Sequence, residues 1–355
     1  MPGAGYDALL LLSFGGPERP ADVIPFLENV TRGRGVPPER LEEVAAHYRH
    51  FGGVSPINEQ NRTLLAAVRE EFSRHGLGLP VYWGNRNWKP YVADTVAAMA
   101  ADGVTNALVF VTSAYASYSA CRQYQEDLAA AREAVGAGAP QLHKLRHFFD
   151  HPGFIEPQRD EVAVAVAAID EARRPTTRLV FVAHSIPVSM AETAGPAGAL
   201  YVAQLREAAR LIAAAAPELA WSLAYSSRSG PPSVPWLEPD VNDLLRSLSE
   251  EGVTDVVVVP VGFVSDHIEV RWDLDVEAVA TAAEIGLGIT RTDPPAADPR
   301  FVVMVRELVQ ERIDPAVEKR ALSELGPAHD ICPVTCCPAP KRVAPHAGSV
   351  SRDAG

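Results

Sequence analysis

Apolar runs, too short to be helices and too uniform to alternate, recur along the chain and set its rhythm. Ala8 to Phe14, Val81 to Asn85, Asn106 to Val111, Leu142 to Phe148, Arg178 to Ala183, Trp221 to Ser226 and Val256 to Val261 read as strands, with Gly288 to Arg291 a short last one. Uniform rather than alternating apolarity marks strands covered on both faces, the parallel-sheet kind. Between them the apolar residues fall at helical spacing, as in Val23, Phe26, Leu27 and Val30. Longer helical stretches are predicted over 41–48, 58–74, 91–101, 154–173, 200–216, 241–251, 273–285 and 299–313. Strand and helix alternate throughout, so the fold class is α/β: two Rossmann-like doubly wound domains of about four strands each. His151-Pro152-Gly153 is the first plausible boundary. It gives a first domain over 1–150, a second over 151–315, a cysteine-bearing tail over 316–338 and a disordered end over 339–355.

In such folds ligands sit beyond the carboxyl ends of the strands, so the residues just past each apolar run matter most. Val256 to Val261 leads through Gly262 into Ser265, Asp266, His267 and Glu269, and Arg178 to Ala183 leads into His184. A His with a carboxylate in hydrogen-bond reach can accept protons near neutral pH, and the same pair can hold a divalent ion. Either residue alone is more often structural; both, set after strands of one domain, point to a site. Gly15-Gly16-Pro17 comes directly after the first strand, but G-x-G-x-x-G is absent, so a nucleotide loop is set aside. Arg32 and Arg34 lie in a Gly/Pro-rich loop where a pocket rim falls, and Ser55 comes shortly after Gly52-Gly53. Cys121 and Tyr124 lie one helical turn apart in a Ser/Tyr-rich stretch suited to a planar aromatic guest.

Composition narrows the classes. The 355 residues carry a formal net charge of −13, which argues against nucleic acid, whose phosphates need a basic footprint. No apolar run approaches the roughly 18 residues of a membrane span, and the start lacks the basic flank of an export signal, so a cytoplasmic protein is expected. Three of the four cysteines crowd into Cys332-Pro-Val-Thr-Cys336-Cys337. Disulfides are unfavoured in a reducing compartment, which leaves thiolate ligation of a metal or an iron–sulfur cluster as the natural reading.

The stretches LLLLSFGGP (9–17), YRHFGGVSP (48–56), GNRNWKPYVADT (84–95), AHSIP (183–187), SSRSGPPSVPWLEPD (226–240) and VGFVSDHIEV (261–270) resemble those of the ferrochelatase family, in order and over nearly the whole chain. The resemblance implies a porphyrin cleft between the domains and insertion of Fe²⁺ into a tetrapyrrole. His184 and Glu269 are then the catalytic metal and proton pair, with Asp266 and His267 beside them. Phe14 stands where soluble bacterial members have a Tyr able to reach the iron. Ser55 and Tyr124 fall on positions that bind the porphyrin's carboxylates; Arg32, Arg34 and Arg49 are added candidates. The actinobacterial character of the chain implies coproporphyrin III as substrate, with protoporphyrin IX as the alternative and a coproheme decarboxylase downstream. It also implies a monomer without stable membrane association, since the stretch 24–40 is polar. Several members bind a 2Fe–2S cluster through one internal and three C-terminal cysteines, a layout that Cys121, Cys332, Cys336 and Cys337 match; zinc or idle thiols are the alternative.

Metallation requires two pyrrole N–H protons to leave while Fe²⁺ sheds water, and a cleft that bends the ring exposes its nitrogen lone pairs. His184 can accept a proton and Glu269 can pass it on or compensate the metal's charge. Two rivals are a cobalt or nickel chelatase of another tetrapyrrole and a non-catalytic porphyrin or haem carrier.

Overall fold

The computed structural model describes residues 5–230 and 233–340. The first half runs β1 (Ala8–Ser13), α1 (Val23–Val30), α2 (Pro38–His50), α3 (Ile57–Arg74), β2 (Val81–Asn85), α4 (Val92–Ala101), β3 (Asn106–Val111), α5 (Gln123–Val135) and β4 (Gln141–Lys144). The second runs α6 (Pro152–Ala168), β5 (Thr177–His184), α7 (Val188–Glu192), α8 (Leu200–Ala213), β6 (Trp221–Ser226), α9 (Val241–Glu250), β7 (Asp255–Val259), α10 (Ile268–Arg271), α11 (Ala278–Ile285), β8 (Gly288–Arg291) and α12 (Pro299–Ile313). The strands form two parallel four-stranded sheets, ordered β2-β1-β3-β4 and β6-β5-β7-β8. The same order recurs in both halves although their sequences show no strong repeat. The α/β doubly wound class is thus observed.

β1, β3, β5 and β7 are buried on both faces, as their unbroken apolar runs require. One hydrophobic cluster links the two sheets, from Leu9, Leu11 and Phe110 to Leu179, Phe181 and Val257. Phe148 sits at its centre, stacked on Phe110 (ring centroids 5.2 Å apart) and edge-on to Phe154 and Phe301. α12 packs against both α3 and α6, so the last helix returns to the first half.

Two stretches differ from expectation. β4 ends at Lys144, and Leu145 to Phe148, read as part of a strand, is irregular chain that leads into a turn at Phe149 and Asp150. Phe148 and Phe149 are apolar because they fill the core, and a short buried run cannot by itself be assigned to a strand. The predicted helix 273–285 begins with a π-helical turn, Trp272–Glu277, directly after α10. Of the end read as disordered, residues 341–355 lie outside the described residues.

Candidate functional site

The site is assembled where β5, β6 and β7 end. His184 closes β5 and is in register with Ser226, the last residue of β6. The chain leaving β7 bends inward at Gly262, whose N–H donates to the Val182 carbonyl (3.1 Å). A Cβ on Gly262 would stand 2.7 Å from both the Cα and the Cβ of Ala183, the residue before His184. Gly262→Ala therefore pushes the two strand ends apart; a loss of about 1–3 kcal/mol in stability, read by denaturant unfolding, is expected.

His184 is oriented by its own loop. Its Nδ1 lies 2.5 Å from the Ser185 carbonyl, which can only accept, so Nδ1 carries the proton and Nε2 keeps a free lone pair. The Tyr201 hydroxyl donates to the His184 carbonyl (2.8 Å) and fixes the strand end from behind. Beyond Gly262, the Asp266 N–H donates to Oε1 of Gln60 on α3 (2.9 Å), and the Tyr115 hydroxyl donates to the Val261 carbonyl (2.7 Å). Both contacts tie the β7 loop to the first half.

Glu269 projects exposed from α10, while its neighbour Ile268 is fully buried among Val23, Phe26, Leu27, Tyr48 and Trp88 of the first half. That lip is clasped again where His47 stacks on Trp272 (4.0 Å, 6° between planes) and Arg271 lies over Phe51 (4.8 Å). Phe14, 37% exposed at the end of β1, packs edge-on against Phe26 and presents an apolar face. His267 stands within electrostatic reach of the other site groups: burial lowers its pKa, nearby Glu269 and Asp266 oppose that, and His184 adds to it. Asp266 is held by Arg291 through paired bonds of 2.8 and 3.0 Å, and Arg291 also binds Asp275 (2.8 Å). It is a strut of the loop rather than a free carboxylate.

Sequence reasoning missed Asp273. It lies in the π-helical turn, accepts a hydrogen bond from Ser227 just past β6, and is pushed up to about 7 from 3.8, chiefly by burial and further by Glu269. The four-residue spacing Glu269, Asp273, Glu277 was a readable signal, because residues so spaced share a helix face.

The remaining candidates are placed less uniformly. Arg32 and Arg34 are set in the loop after α1, both exposed, and Arg49 pairs with the exposed Glu42. Ser55 is buried beneath Gly16, which could not carry a Cβ without meeting it at 2.7 Å. Tyr124 is buried with the Arg86 guanidinium 4.5 Å over its ring, and Arg86 also pairs with Asp127. Arg86 lies 5.9 Å from the Phe14 ring as well, a cation that sequence reasoning passed over.

The four cysteines converge at a second place. Cys121 Sγ is 3.7 Å from Cys332 Sγ, and Cys336 and Cys337 are 3.6 Å apart. Hydrogen bonds from Cys332 and Cys337 hold the Cys121 thiol far below its ordinary pKa and push those two up. Arg122 donates to the carbonyls of Pro333, Val334 and Cys336 (2.7–3.1 Å) and pins the tail in place.

The sequence profile of ferrochelatase matches residues 6–313. The chain belongs to the ferrochelatase family. Relatives named coproporphyrin III ferrochelatase include those of Streptomyces griseus (56% identical, covering 98% of this chain and 97% of that one) and Nocardia farcinica (56%; 96% and 99%). The ferrochelatase of Rhodopirellula baltica is 52% identical, over 97% of this chain and 96% of its own. Among solved structures, SirB from Bacillus subtilis with Fe³⁺ shares the fold at a TM-score of 0.52 and 12% identity, covering 90% of this chain and all of that one. As a ferrochelatase-family member the chain is a lyase acting on Fe²⁺ as a substrate, and the strand-end cluster around His184 is the place in it where titratable groups from neighbouring strand ends meet. No helix among the described residues is long and apolar enough to cross a membrane.

Proposed function

We propose that this chain inserts Fe²⁺ into coproporphyrin III, with His184 as the proton acceptor at the ring centre. The observation that carries the reading is the His184 imidazole, with Nδ1 tied to Ser185 and, like Glu269, within electrostatic reach of His267. Its lone pair takes a pyrrole proton as iron enters, and Glu269 compensates the charge of the incoming ion. Asp273, ionised above about pH 7, then offers the next site for a proton. Phe14 and the lip core form an apolar wall for a flat macrocycle, and Phe14 has no atom to give the iron.

The choice of coproporphyrin III rests on the names of the relatives above 50% identity and on cations near the lip. On this reading Arg32, Arg34, Arg49 and the stacked Arg86 are the cations that meet the four propionates, Arg49 and Arg86 exchanging their Glu42 and Asp127 partners, with Ser55 and Tyr124 supporting the wall beneath them. The product keeps propionates that haem b lacks, so a coproheme decarboxylase acts next. We place the protein in the cytoplasm as a monomer, in keeping with its free thiols. Anaerobic insertion of Fe²⁺, monitored by loss of the free-porphyrin absorption bands, tests the reading. The kcat/KM for coproporphyrin III should exceed that for protoporphyrin IX by at least about tenfold, or about 1.4 kcal/mol in transition-state binding. The reverse preference removes the substrate assignment. A faster reaction with Co²⁺ points to the rival chelatase, and bound porphyrin whose bands never respond to metal points to a carrier.

The four convergent thiols fit a 2Fe–2S cluster in number and softness. Cys121, Cys332, Cys336 and Cys337 would hold it, supplying a redox-active clasp between the tail and the first half.

A further inference from the structure

The cysteine centre contains a donor that the four-thiol count leaves out. His329 Nε2 lies 3.3 Å from Cys332 Sγ, and His329, Cys332 and Cys336 present donor atoms all within 4.8 Å of one another. Cys121 Sγ stands 3.7 Å from Cys332, and Cys337 Sγ stands 3.6 Å from Cys336 and accepts the Gly195 N–H at 3.1 Å, but neither joins that group. A tetrahedral ion with metal–sulfur bonds of about 2.3 Å sets its sulfurs about 3.8 Å apart, and a nitrogen bound at about 2.0 Å lies about 3.6 Å from a sulfur. The observed His329–Cys332 separation lies close to the nitrogen–sulfur edge. Backbone and burial hold the set together: Cys336 is buried, and the Arg122 clamp fixes the loop that carries it.

We propose that the same centre has a second mode of occupancy, in which a single divalent ion of the zinc class is bound by His329, Cys332 and Cys336, its fourth position taken by a non-protein ligand. The inference rests on the reading of the thiols as a metal centre. It differs in its ligands: His329 enters, and Cys121 and Cys337 stay out, Cys337 keeping the Gly195 N–H. Thiolates and an imidazole in tetrahedral array select borderline and soft ions over Mg²⁺ or Ca²⁺. The two thiols lose their protons on binding, and the bound ion ties the tail residues 329–336 to one another.

Cobalt(II) is the probe, because thiolate ligation gives an intense sulfur-to-cobalt charge-transfer band that oxygen and nitrogen ligands at His184 and Glu269 cannot. The full chain, reduced and freed of iron and zinc, is titrated anaerobically with Co²⁺. Wild type should take up a single thiolate-bound Co²⁺ with the ligand-field bands of a tetrahedral site. His329→Ala should weaken binding about tenfold or more and shift those bands, whereas Cys337→Ser should leave both unchanged. Reconstitution with Fe³⁺ and sulfide should reverse the pattern: His329→Ala still builds the cluster absorption and Cys337→Ser does not. Thermal unfolding with and without Co²⁺ separates lost binding from lost folding. Absence of a thiolate band in wild type, or a band that depends on Cys337 and ignores His329, overturns the proposal. A wild type that binds Co²⁺ as described but never builds a cluster upholds it and removes the four-cysteine cluster instead.

Discussion

His184→Ala should retain porphyrin binding and lose iron insertion by about 10²- to 10⁴-fold, the usual contribution of a positioned proton acceptor. The effect is large because nothing else can take over. Nε2 is the free nitrogen of a ring whose tautomer is set by Ser185. His267, the other imidazole at the rim, has its basicity lowered by burial. Glu269→Gln should reduce turnover in the same direction while leaving binding of the metal-free ring intact. The measurement pairs fluorescence quenching of bound coproporphyrin III with anaerobic Fe²⁺ insertion. Full turnover by His184→Ala would remove the imidazole from the mechanism; loss of binding together with turnover would make it a structural residue.

Asp273→Asn should make the protein more stable and less active. Burial raises the Asp273 carboxyl from 3.8 to about 7 in the folded state. Between those values the unfolded chain has given up the proton and the folded chain has not, so stability falls as pH rises through that window. The penalty levels off above about pH 7 at roughly 4 kcal/mol, from about 1.4 kcal/mol per pKa unit. Asparagine cannot ionise, yet its amide oxygen still accepts from Ser227. The variant should therefore match wild type below about pH 4 and gain progressively to about pH 7, as read by urea unfolding. Equal stability from pH 5 to 8 would show that the carboxyl is solvated and titrates normally. The accompanying loss of insertion reports the other side of the trade, a charged group kept buried at the expense of stability.

Much of this was legible in the sequence because parallel strands are buried on both faces. That burial writes β1, β3, β5 and β7 as unbroken apolar runs, and it makes the residues after each run candidates for the site. His184 and Glu269 were found in this way. The same logic misread Leu145 to Phe148, since irregular chain whose aromatic residues plug the core is as apolar as a strand. Asp273 was missed because the 3.6-residue pattern predicts an ordinary helix and cannot show that a π-helical turn carries the carboxyl to Ser227. The convergence of Cys121 with Cys332, Cys336 and Cys337 lay beyond local pattern altogether. It depends on Arg122 and on a tail that returns to the first half, and only the resemblance of the motifs foretold it. Arg32 and Arg34 were placed at a rim by charge alone and keep solvent contact there, whereas Ser55 and Tyr124 turned out to lie beneath the surface their hydroxyls were expected to line.

The proposed chemistry turns on a single placement, that the tetrapyrrole lies between the β5 and β7 ends and the lip. A crystal structure of the protein with metal-free coproporphyrin III tests it most directly. The ring is expected against Phe14, with His184 Nε2 directed at the pyrrole nitrogens and Glu269 beside it on the same centre. A ring bound elsewhere, for instance in the groove beside β2 lined by Arg69, Phe72 and Tyr82, with His184 facing solvent, would contradict it.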